Sequence, residues 1–303
     1  MTEDHGEPDV ITAWRTAPGH HARGAFNPRE IETIRREMLP SLPCEPAEIG
    51  IISPYNEQVN ALHRELGGGI DVATVHKFQG REKEAIILST VDDQITAFTD
   101  DPNLLNVAVS RAKRQFTLVT SSNEQPDSRN IADLLAYIDY NGGKITESAI
   151  HSVFDLLYEP YAEARREFLK RHRRISEFDS ENLTYALLER VLEADPAFRH
   201  LGVLCHQPLR QLIRDWTILD DEERRYALNG ATHLDFLIYN RVSKRPVLAI
   251  ETDGYQFHKQ GTRQSERDRM KDRILDRYSL PLLRLSTTGT DEEAKIHTLL
   301  KRN

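Results

Sequence analysis

This sequence of 303 residues lacks long apolar runs and paired cysteines, and its first residues do not resemble a signal peptide. No stretch approaches the roughly 20 apolar residues that a helix needs to cross a bilayer. The polar, acidic start from Met1 to His5 lacks the basic and apolar blocks of a signal peptide. The two cysteines, Cys44 and Cys205, are far apart and lack disulfide or zinc-type spacing. These absences predict a cytoplasmic protein with no membrane partner.

Positive charge is also in short supply, because 40 Lys and Arg residues face 48 Asp and Glu residues, for a net charge of −8. An acidic balance argues weakly against nucleic-acid binding, but binding needs only a local basic surface. Residues 165–174 form one locally basic stretch. This stretch fits a solvated helix face and a face that follows phosphates about equally well.

The order of predicted elements indicates an α/β protein with two domains and a connector. The first domain is predicted to span residues 1–142, with an irregular start and an end at Gly142 and Gly143. A helical connector is expected over 143–175, and a second α/β domain over 176–303. Strands are predicted at 49–55, 72–75, 85–91, 116–120, 234–239, 247–252 and 282–286. Helices are predicted at 56–66, 104–112, 131–140, 182–192 and 266–278.

Three segments of the first domain resemble helicase motifs of superfamily 1. Residues 49–58 (IGIISPYNEQ) resemble motif IV, residues 75–84 (VHKFQGREKE) motif V, and residues 105–113 (LNVAVSRAK) motif VI. Their order and spacing resemble the second RecA-like domain of the group that includes the nonsense-mediated decay helicases, over roughly residues 20–142. Three motifs in order are far more specific than any one alone. The resemblance implies a RecA-like domain with a parallel sheet.

The same resemblance implies nucleotide-related roles for four residues. Arg111 is the expected arginine finger, because a guanidinium can stabilise the charge that develops on the γ-phosphate oxygens. Glu82 is expected to contact the nucleotide sugar. Gln79 and Gly80 lie at a tight strand exit that couples ATP to the nucleic-acid groove.

A phosphate-binding loop is absent, since the sequence contains no G-x-x-x-x-G-K-[ST] and no strand ending in a magnesium-holding Asp-Glu pair. We therefore expect ATP binding only with a complementing first RecA-like domain, which a separate chain with Walker A and B motifs would supply. The chain alone is not expected to be an autonomous ATPase or helicase. Family members often carry an arginine just after the asparagine of an Asn-x-x-Glu segment. Pro28 stands there in this sequence, and Arg29 is the candidate substitute.

Clustered carboxylates give the strongest chemical signal in the second domain. Asp235 lies near the start of one predicted strand, and Glu251 and Asp253 share one face at the end of the next. If the strands pair, three carboxylates converge and repel one another unless a cation lies among them. Oxygen ligands favour Mg²⁺ or Mn²⁺, so Asp235, Glu251 and Asp253 are the predicted metal ligands. A solvent-exposed strand end with incidental acids is the structural alternative.

The run from Asp235 to 251–258 (ETDGYQFH) resembles the restriction-endonuclease-like PD-(D/E)xK fold, in its very-short-patch-repair-like branch. Residues 264–272 and 280–285 continue the resemblance, which covers roughly residues 176–290. It implies a restriction-endonuclease-like α/β domain with Asp235 and Glu251 as main metal ligands. Glu181 and Asp253 are then supporting acids, and His258 moves a proton or binds the scissile phosphate.

This sequence departs from the commonest pattern of that fold at one position. The residue two after Glu251, usually lysine, is Asp253. The positive charge is expected instead from Lys259, or from Lys271 on the next helix. Lys271 is also a candidate catalytic residue.

These motifs together predict a DNA-processing protein in which a Mg²⁺-dependent endonuclease domain is attached to the second half of a helicase motor. DNA is the expected substrate and RNA the alternative. A second interpretation is a catalytically silent remnant, or a docking subunit that needs a partner chain for ATPase activity. A third is an RNA helicase fragment that remodels nucleoprotein.

Overall fold

The computed structural model describes residues 10–254 and 263–302. The chain divides after His151 into two units, each with its own sheet and helices. The predicted α/β class, with a RecA-like parallel sheet followed by a second α/β unit, is confirmed. No helix among the described residues has both the length and the apolar character that a membrane span requires.

Six strands of the described chain form the sheet of the first unit, in the order β3-β2-β4-β5-β1-β6, and every neighbouring pair is parallel. The strands are β1 (Ile11–Thr16), β2 (Ile49–Ser53), β3 (Asp71–Thr74), β4 (Lys83–Ser89), β5 (Ala112–Ser121) and β6 (Ile145–Glu147). The helices are α1 (Pro28–Thr33), α2 (Leu39–Ser41), α3 (Asn56–Leu66), α4 (Val75–Phe78), α5 (Pro102–Ser110) and α6 (Asn130–Tyr140). A π-helical turn, Ile34–Met38, joins α1 to α2.

Both faces of this sheet are buried. In β4, Ile86 and Leu88 belong to one apolar core, while Ala85 and Ile87 belong to another. Alternate residues of a strand point to opposite faces, so the continuous apolar run needs helices on both sides of the sheet.

Two predictions about the ends of the first unit differ from the structure. The first twenty residues were predicted to be irregular, but β1 lies there, between β5 and β6. A short strand that is buried by its neighbours on both sides needs no periodic pattern of its own. The predicted boundary at residue 142 precedes β6, which pairs with β1 in the first sheet, and the structure divides after His151 instead.

The sheet of the second unit combines an antiparallel meander with one parallel strand, in the order β10-β9-β8-β7. Its strands are β7 (Leu201–Pro208), β8 (His233–Asn240), β9 (Pro246–Asp253) and β10 (Leu282–Ser286). Its helices are α7 (Ala162–Arg171), α8 (Asp179–Ala194), α9 (Asp221–Leu228), α10 (Arg263–Arg277) and α11 (Glu292–Arg302). Helix α10 connects β9 to the parallel strand β10. The region predicted as a connector includes Phe154, which is fully buried in the core of this unit.

Two apolar cores enclose the second sheet. One joins α8 and α11 to Phe236 and Ile250, and the other joins α9 and α10 to Leu237 and Ala249. The sheet is therefore held from both faces, which fixes the strand ends that carry the predicted carboxylates.

Candidate functional site

Asp235 and Glu251 lie side by side on the paired strands β8 and β9. The backbone N–H of Thr252 donates to Asp235 Oδ2 at 2.8 Å, and the N–H of Asp235 donates to Glu251 Oε1 at 3.3 Å. Only 6% of the surface of Glu251 is exposed. The antiparallel pairing thus brings together two of the three predicted metal ligands.

Lys271 of α10 places a buried positive charge beside these two carboxylates. Its Nζ donates to Glu251 Oε2 at 2.5 Å and to the carbonyl of His233 at 2.9 Å. Burial raises the pKa of the Glu251 carboxyl to about 7, the Lys271 ammonium opposes this shift, and the neighbouring Asp235 adds to it. Of the two lysines expected to supply the charge, Lys271 therefore contacts Glu251. Lys259 and the predicted catalytic His258 lie outside the described residues.

Asp253 lies on the same face of β9 as Glu251 but has a different partner. Its Oδ1 is 3.1 Å from the guanidinium of Arg284 on β10, which also binds Asp272 of α10 at 2.7 Å. Within residues 10–254 and 263–302, no three His, Cys, Asp or Glu side chains lie close enough together to hold a metal ion. The three predicted ligands thus do not form one cluster in the described chain, because Asp253 pairs with Arg284 of β10 instead.

Glu181, from the first turn of α8, faces the same region. Its Oε2 is buried without a hydrogen-bond partner and lies 3.7 Å from His206 Nε2. Burial raises the pKa of the Glu181 carboxyl, and the charge of Asp235 raises it further. A buried carboxylate oxygen without a donor is unusual, and it leaves one acceptor available at the site.

Sequence reasoning missed His206 of β7. Its φ of 50° departs from strand geometry, and its ring meets that of His233 edge-on at 5.5 Å between centroids. Backbone outside the favoured regions is concentrated at functional sites. The available signal was a polar residue inside an apolar segment, but β7 itself was not predicted.

The carboxylates, His233 and Lys271 line a pocket of about 370 Å³. Among the described residues its lining comprises Glu181, Tyr226, Asn229, Ala231, Thr232, His233, Asp235, Glu251, Thr252, Asp253, Gly254, Arg267, Asp268 and Lys271. The charged lining suits a charged, hydrophilic ligand rather than an apolar one.

In the first unit, motifs V and VI meet at the start of β4. The N–H of Lys83, next to Glu82, donates to the carbonyl of Arg111 at 3.0 Å. Arg111 is half-buried as a residue, and its guanidinium donates to Ser110 Oγ at 3.2 Å in an exposed contact. The segments that carry Glu82 and Arg111 are therefore neighbours, as a shared nucleotide site requires.

Gln79 and Gly80 follow α4 and are both exposed. The φ of Gly80 is 82°, a turn conformation that favours glycine, but the turn follows α4 and is not the strand exit that was predicted. Gln79 lines a separate cavity of about 190 Å³, together with Pro54, Thr74 and Asn103. This cavity lies where β2 and β3 end, the usual ligand side of a parallel sheet.

The Asn-x-x-Glu segment is buried rather than presented at the surface. Arg29 is 1% exposed and donates to the carbonyl of Ile150 at 2.9 Å, so it does not replace an arginine at the surface. Glu30 is fully buried and accepts hydrogen bonds from the Ser89 hydroxyl at 2.6 Å and from the N–H of Val91 at 3.0 Å.

Comparison with protein families finds a different match for each unit. Residues 12–123 match a family described as an AAA domain, and residues 178–302 match a family of unknown function, DUF2726.

Several curated relatives align with part of the chain. An uncharacterized ATP-dependent helicase of Caenorhabditis elegans is 44% identical over 81 residues, covering 26% of this chain and 5% of the relative. DNA-binding protein SMUBP-2 of Rattus norvegicus is 29% identical over 143 residues, covering 45% of this chain and 14% of the relative. The chain thus spans a small part of the relatives it matches.

A solved structure, the C-terminal domain of a possible DNA helicase from Lactobacillus plantarum, aligns with 46% of this chain and 87% of its own, with 18% identity and a TM-score of 0.34. The family match and the helicase relatives agree with the three motifs. Residues 12–123 therefore match a helicase-like AAA domain, in agreement with the resemblance to the second domain of superfamily 1 helicases.

Proposed function

We propose that the second unit is a Mg²⁺-dependent endonuclease domain acting on DNA, in a protein whose first unit is half of a helicase motor. The observation that carries the proposal is the contact of Lys271 with Glu251, directly beside Asp235, in a charged pocket. Two carboxylates and a lysine are the groups that a restriction-endonuclease-like site uses. The meander β7-β8-β9 followed by α10 and β10 supports the same proposal.

The donor set suits a hard divalent ion. Mg²⁺ is commonly held by one or two carboxylates, with waters and substrate phosphates completing its shell, so a third carboxylate is not required. Asp235 and Glu251 would hold the ion, with Mn²⁺ as the alternative metal. Burial, with a further contribution from the charge of Asp235, raises the pKa of Glu251, and a bound cation would favour its ionised form. Asp253, paired with Arg284, would support the site rather than bind the ion.

The residues of this chain have separable tasks in phosphodiester hydrolysis. In this reaction a water oxygen bonds to phosphorus and the phosphorus–oxygen bond opposite it breaks. A bound Mg²⁺ would polarise the phosphate and favour ionisation of water. Lys271 Nζ would stabilise charge on the phosphate oxygens, and the buried Oε2 of Glu181 would accept a hydrogen bond from an ordered water.

The first unit would bind ATP in company with a domain that carries a phosphate-binding loop, from this polypeptide or a separate chain. Arg111 would contact the γ-phosphate and Glu82 the sugar, while Gln79 and Gly80 would lie between nucleotide and nucleic acid. The adjacent positions of motifs V and VI support this arrangement. DNA is favoured over RNA because the relatives include a protein named for DNA binding.

Cleavage of labelled DNA and RNA by the purified full chain tests the nuclease proposal. We expect DNA cleavage with Mg²⁺ or Mn²⁺, none with EDTA, and a loss of at least about 100-fold in Glu251→Ala. Glu193→Ala, which removes an exposed carboxylate at the other end of α8, is the matched control. Equal rates in wild type and Glu251→Ala would favour the catalytically silent interpretation, and cleavage of RNA alone would overturn the choice of DNA.

A further inference from the structure

The region around α7 concentrates positive charge in an acidic chain. Residues 162–174 contain six Lys or Arg residues and two Glu residues, whereas the whole chain has a net charge of −8. Arg166, Arg171, Arg173 and Arg174 are exposed, and none forms an ion pair with a described carboxylate. Unpaired arginines remain available for an anionic partner.

Other residues of this region have structural contacts that fix its shape. Arg165 donates to the carbonyl of Leu157 at 2.7 Å and lies 3.4 Å from Asp179 at the start of α8. Asn182 accepts from the N–H of Ile175 at 2.8 Å and donates to the carbonyl of Ser176 at 2.9 Å. The chain between α7 and α8 is therefore held in place, which lowers the entropic cost of binding there.

A groove of about 390 Å³ lies between α7 and the start of α8. Its lining includes Arg165, Arg166, Lys170, Arg173, Arg174 and Asn182. Phe178, directly before α8, leaves 58% of its surface exposed. Phe178 does not line the groove itself but directly precedes Asp179, which does. Arginines along a groove together with a nearby exposed aromatic residue are the combination that binds a nucleic-acid strand, with phosphates on the cations and a base on the ring.

The groove and the carboxylate pocket share the first turn of α8. Asp179 and Asn182 line the groove, whereas Glu181, between them in sequence, lines the pocket. Residues adjacent on a helix point about 100° apart, so one turn can contribute to two neighbouring cavities. A strand bound in the groove would therefore pass beside the pocket.

We propose that this surface, defined by Arg166, Lys170, Arg173, Arg174 and Phe178 and called here the basic groove, binds single-stranded nucleic acid and delivers it to the carboxylate pocket. Delivery rests on the proposed nuclease function, but binding does not. The exposed ring favours a single strand, because bases in a duplex are already stacked on one another.

Binding of the full chain to a labelled oligothymidylate and to a duplex of the same length, by fluorescence anisotropy in EDTA, tests the proposal. We expect the pair Arg166→Glu and Arg173→Glu to weaken single-strand binding at least about tenfold and to lower the salt slope by about 1.4. The pair Arg241→Glu and Arg245→Glu, in the exposed turn between β8 and β9, makes the same charge change and should bind like wild type.

The variant Phe178→Ala tests the contribution of base stacking to binding separately from that of charge. We expect it to weaken oligothymidylate binding about tenfold while leaving the salt slope and duplex binding unchanged. Equal affinities of the two charge-reversed pairs would overturn the basic groove, as would stronger binding to duplex that Phe178→Ala does not affect. Binding to phosphatidylserine vesicles without binding to the oligonucleotide would likewise overturn it.

The nuclease proposal fails separately from this one. Glu251→Ala should bind the oligonucleotide like wild type whether or not the chain cleaves. If no variant cleaves but the arginine pair loses binding, the basic groove stands without the nuclease. If cleavage depends on Glu251 but binding is unchanged in the Arg166 and Arg173 pair, the basic groove is wrong and the nuclease stands.

Discussion

At the scale of single residues, the ion pair of Lys271 and Glu251 combines a structural cost with a chemical use. Lys271 is 8% exposed and Glu251 is 6% exposed, so both charges have lost most of their hydration. Buried pairs of this kind contribute little net stability relative to apolar residues of similar size. Their presence at a pocket with Asp235 is better explained by function.

Replacement of Lys271 by Met tests that interpretation. If the second unit is a nuclease as proposed, we expect Lys271→Met to reduce DNA cleavage at least about 100-fold, because a phosphate bound in the pocket would lose the buried ammonium beside Glu251. The variant should still fold, since the pKa of Glu251 is already about 7 and the carboxyl can take up a proton. Cleavage assays and circular dichroism measure the two effects. Lys301→Met, at an exposed position of α11, is the control, and retained cleavage in Lys271→Met would contradict the assignment.

Glu30 gives the first unit a pH-dependent stability. Burial raises the pKa of this carboxyl from its ordinary value of 4.5 to about 8, although hydrogen bonds from Ser89, Val91 and Thr90 oppose the shift. Between these two values the folded protein holds a proton that the unfolded chain releases. Unfolding free energy should therefore fall as pH rises through this window, and level off above it.

The variant Glu30→Gln should lack this contribution, because an amide does not titrate. Urea unfolding followed by Trp14 fluorescence, in a Trp216→Phe background, reports on the first unit, since the chain has only these two tryptophans. From pH 6 to pH 8.5 wild type should lose stability relative to Glu30→Gln. A constant difference between the two proteins over this range would show that Glu30 is ionised in the fold.

At the scale of elements, β2 of motif IV packs so closely against its neighbours that a side chain does not fit at Gly50. A Cβ there would lie 2.5 Å from Phe78 Cζ and 2.7 Å from Ile86 Cδ1, and both of those side chains are fully buried. Gly50 therefore sets the distance between the strand of motif IV and the short helix of motif V.

Substitution of Gly50 by Ala should destabilise the first unit by about 1–3 kcal/mol, because the overlap exceeds the gain from a stiffer backbone. Urea unfolding with the Trp14 signal measures this cost. Gly68→Ala, where no atom lies within 4 Å of the added Cβ, should change stability by less than about 0.5 kcal/mol. Equal unfolding midpoints for the two variants would show that β2 and its neighbours can shift to accommodate a Cβ at Gly50 with little loss of stability.

At the scale of the whole molecule, each unit encloses its own apolar cores. The clusters around Ile86 and Ile87 draw their buried members from the first unit, and those around Phe236 and Leu237 from the second. Units with separate cores are able to fold as separate domains.

This organisation predicts that the two tryptophans report different transitions. Gly50→Ala should lower the unfolding midpoint seen by Trp14 and leave the midpoint seen by Trp216 unchanged, when each is measured with the other replaced by Phe. Equal shifts of both midpoints would show that the chain unfolds as one cooperative unit.

Sequence patterns located the elements whose signals are local. Helix α3 was predicted with the observed bounds, because its amphipathic run ends at consecutive glycines, and β10 was likewise predicted with its observed bounds. By contrast, β1 and β7 were missed, since strands of mixed polarity take their stability from neighbours in the sheet. The three helicase motifs needed no structure, because their order is itself specific.

By itself, the sequence determined the α/β class, the helicase-like first unit and the shared face of Glu251 and Asp253, because motif order and alternation along a strand are local patterns. Whether Asp235 joins Glu251 depended on the pairing of β8 with β9. The tertiary structure alone decided which positively charged side chain pairs with each of these carboxylates. Lys271 reaches Glu251, and Arg284 takes Asp253, because α10 and β10 pack beside β9. Such contacts join residues far apart in the chain, and their choice depends on the packing of the entire unit rather than on spacing along the sequence.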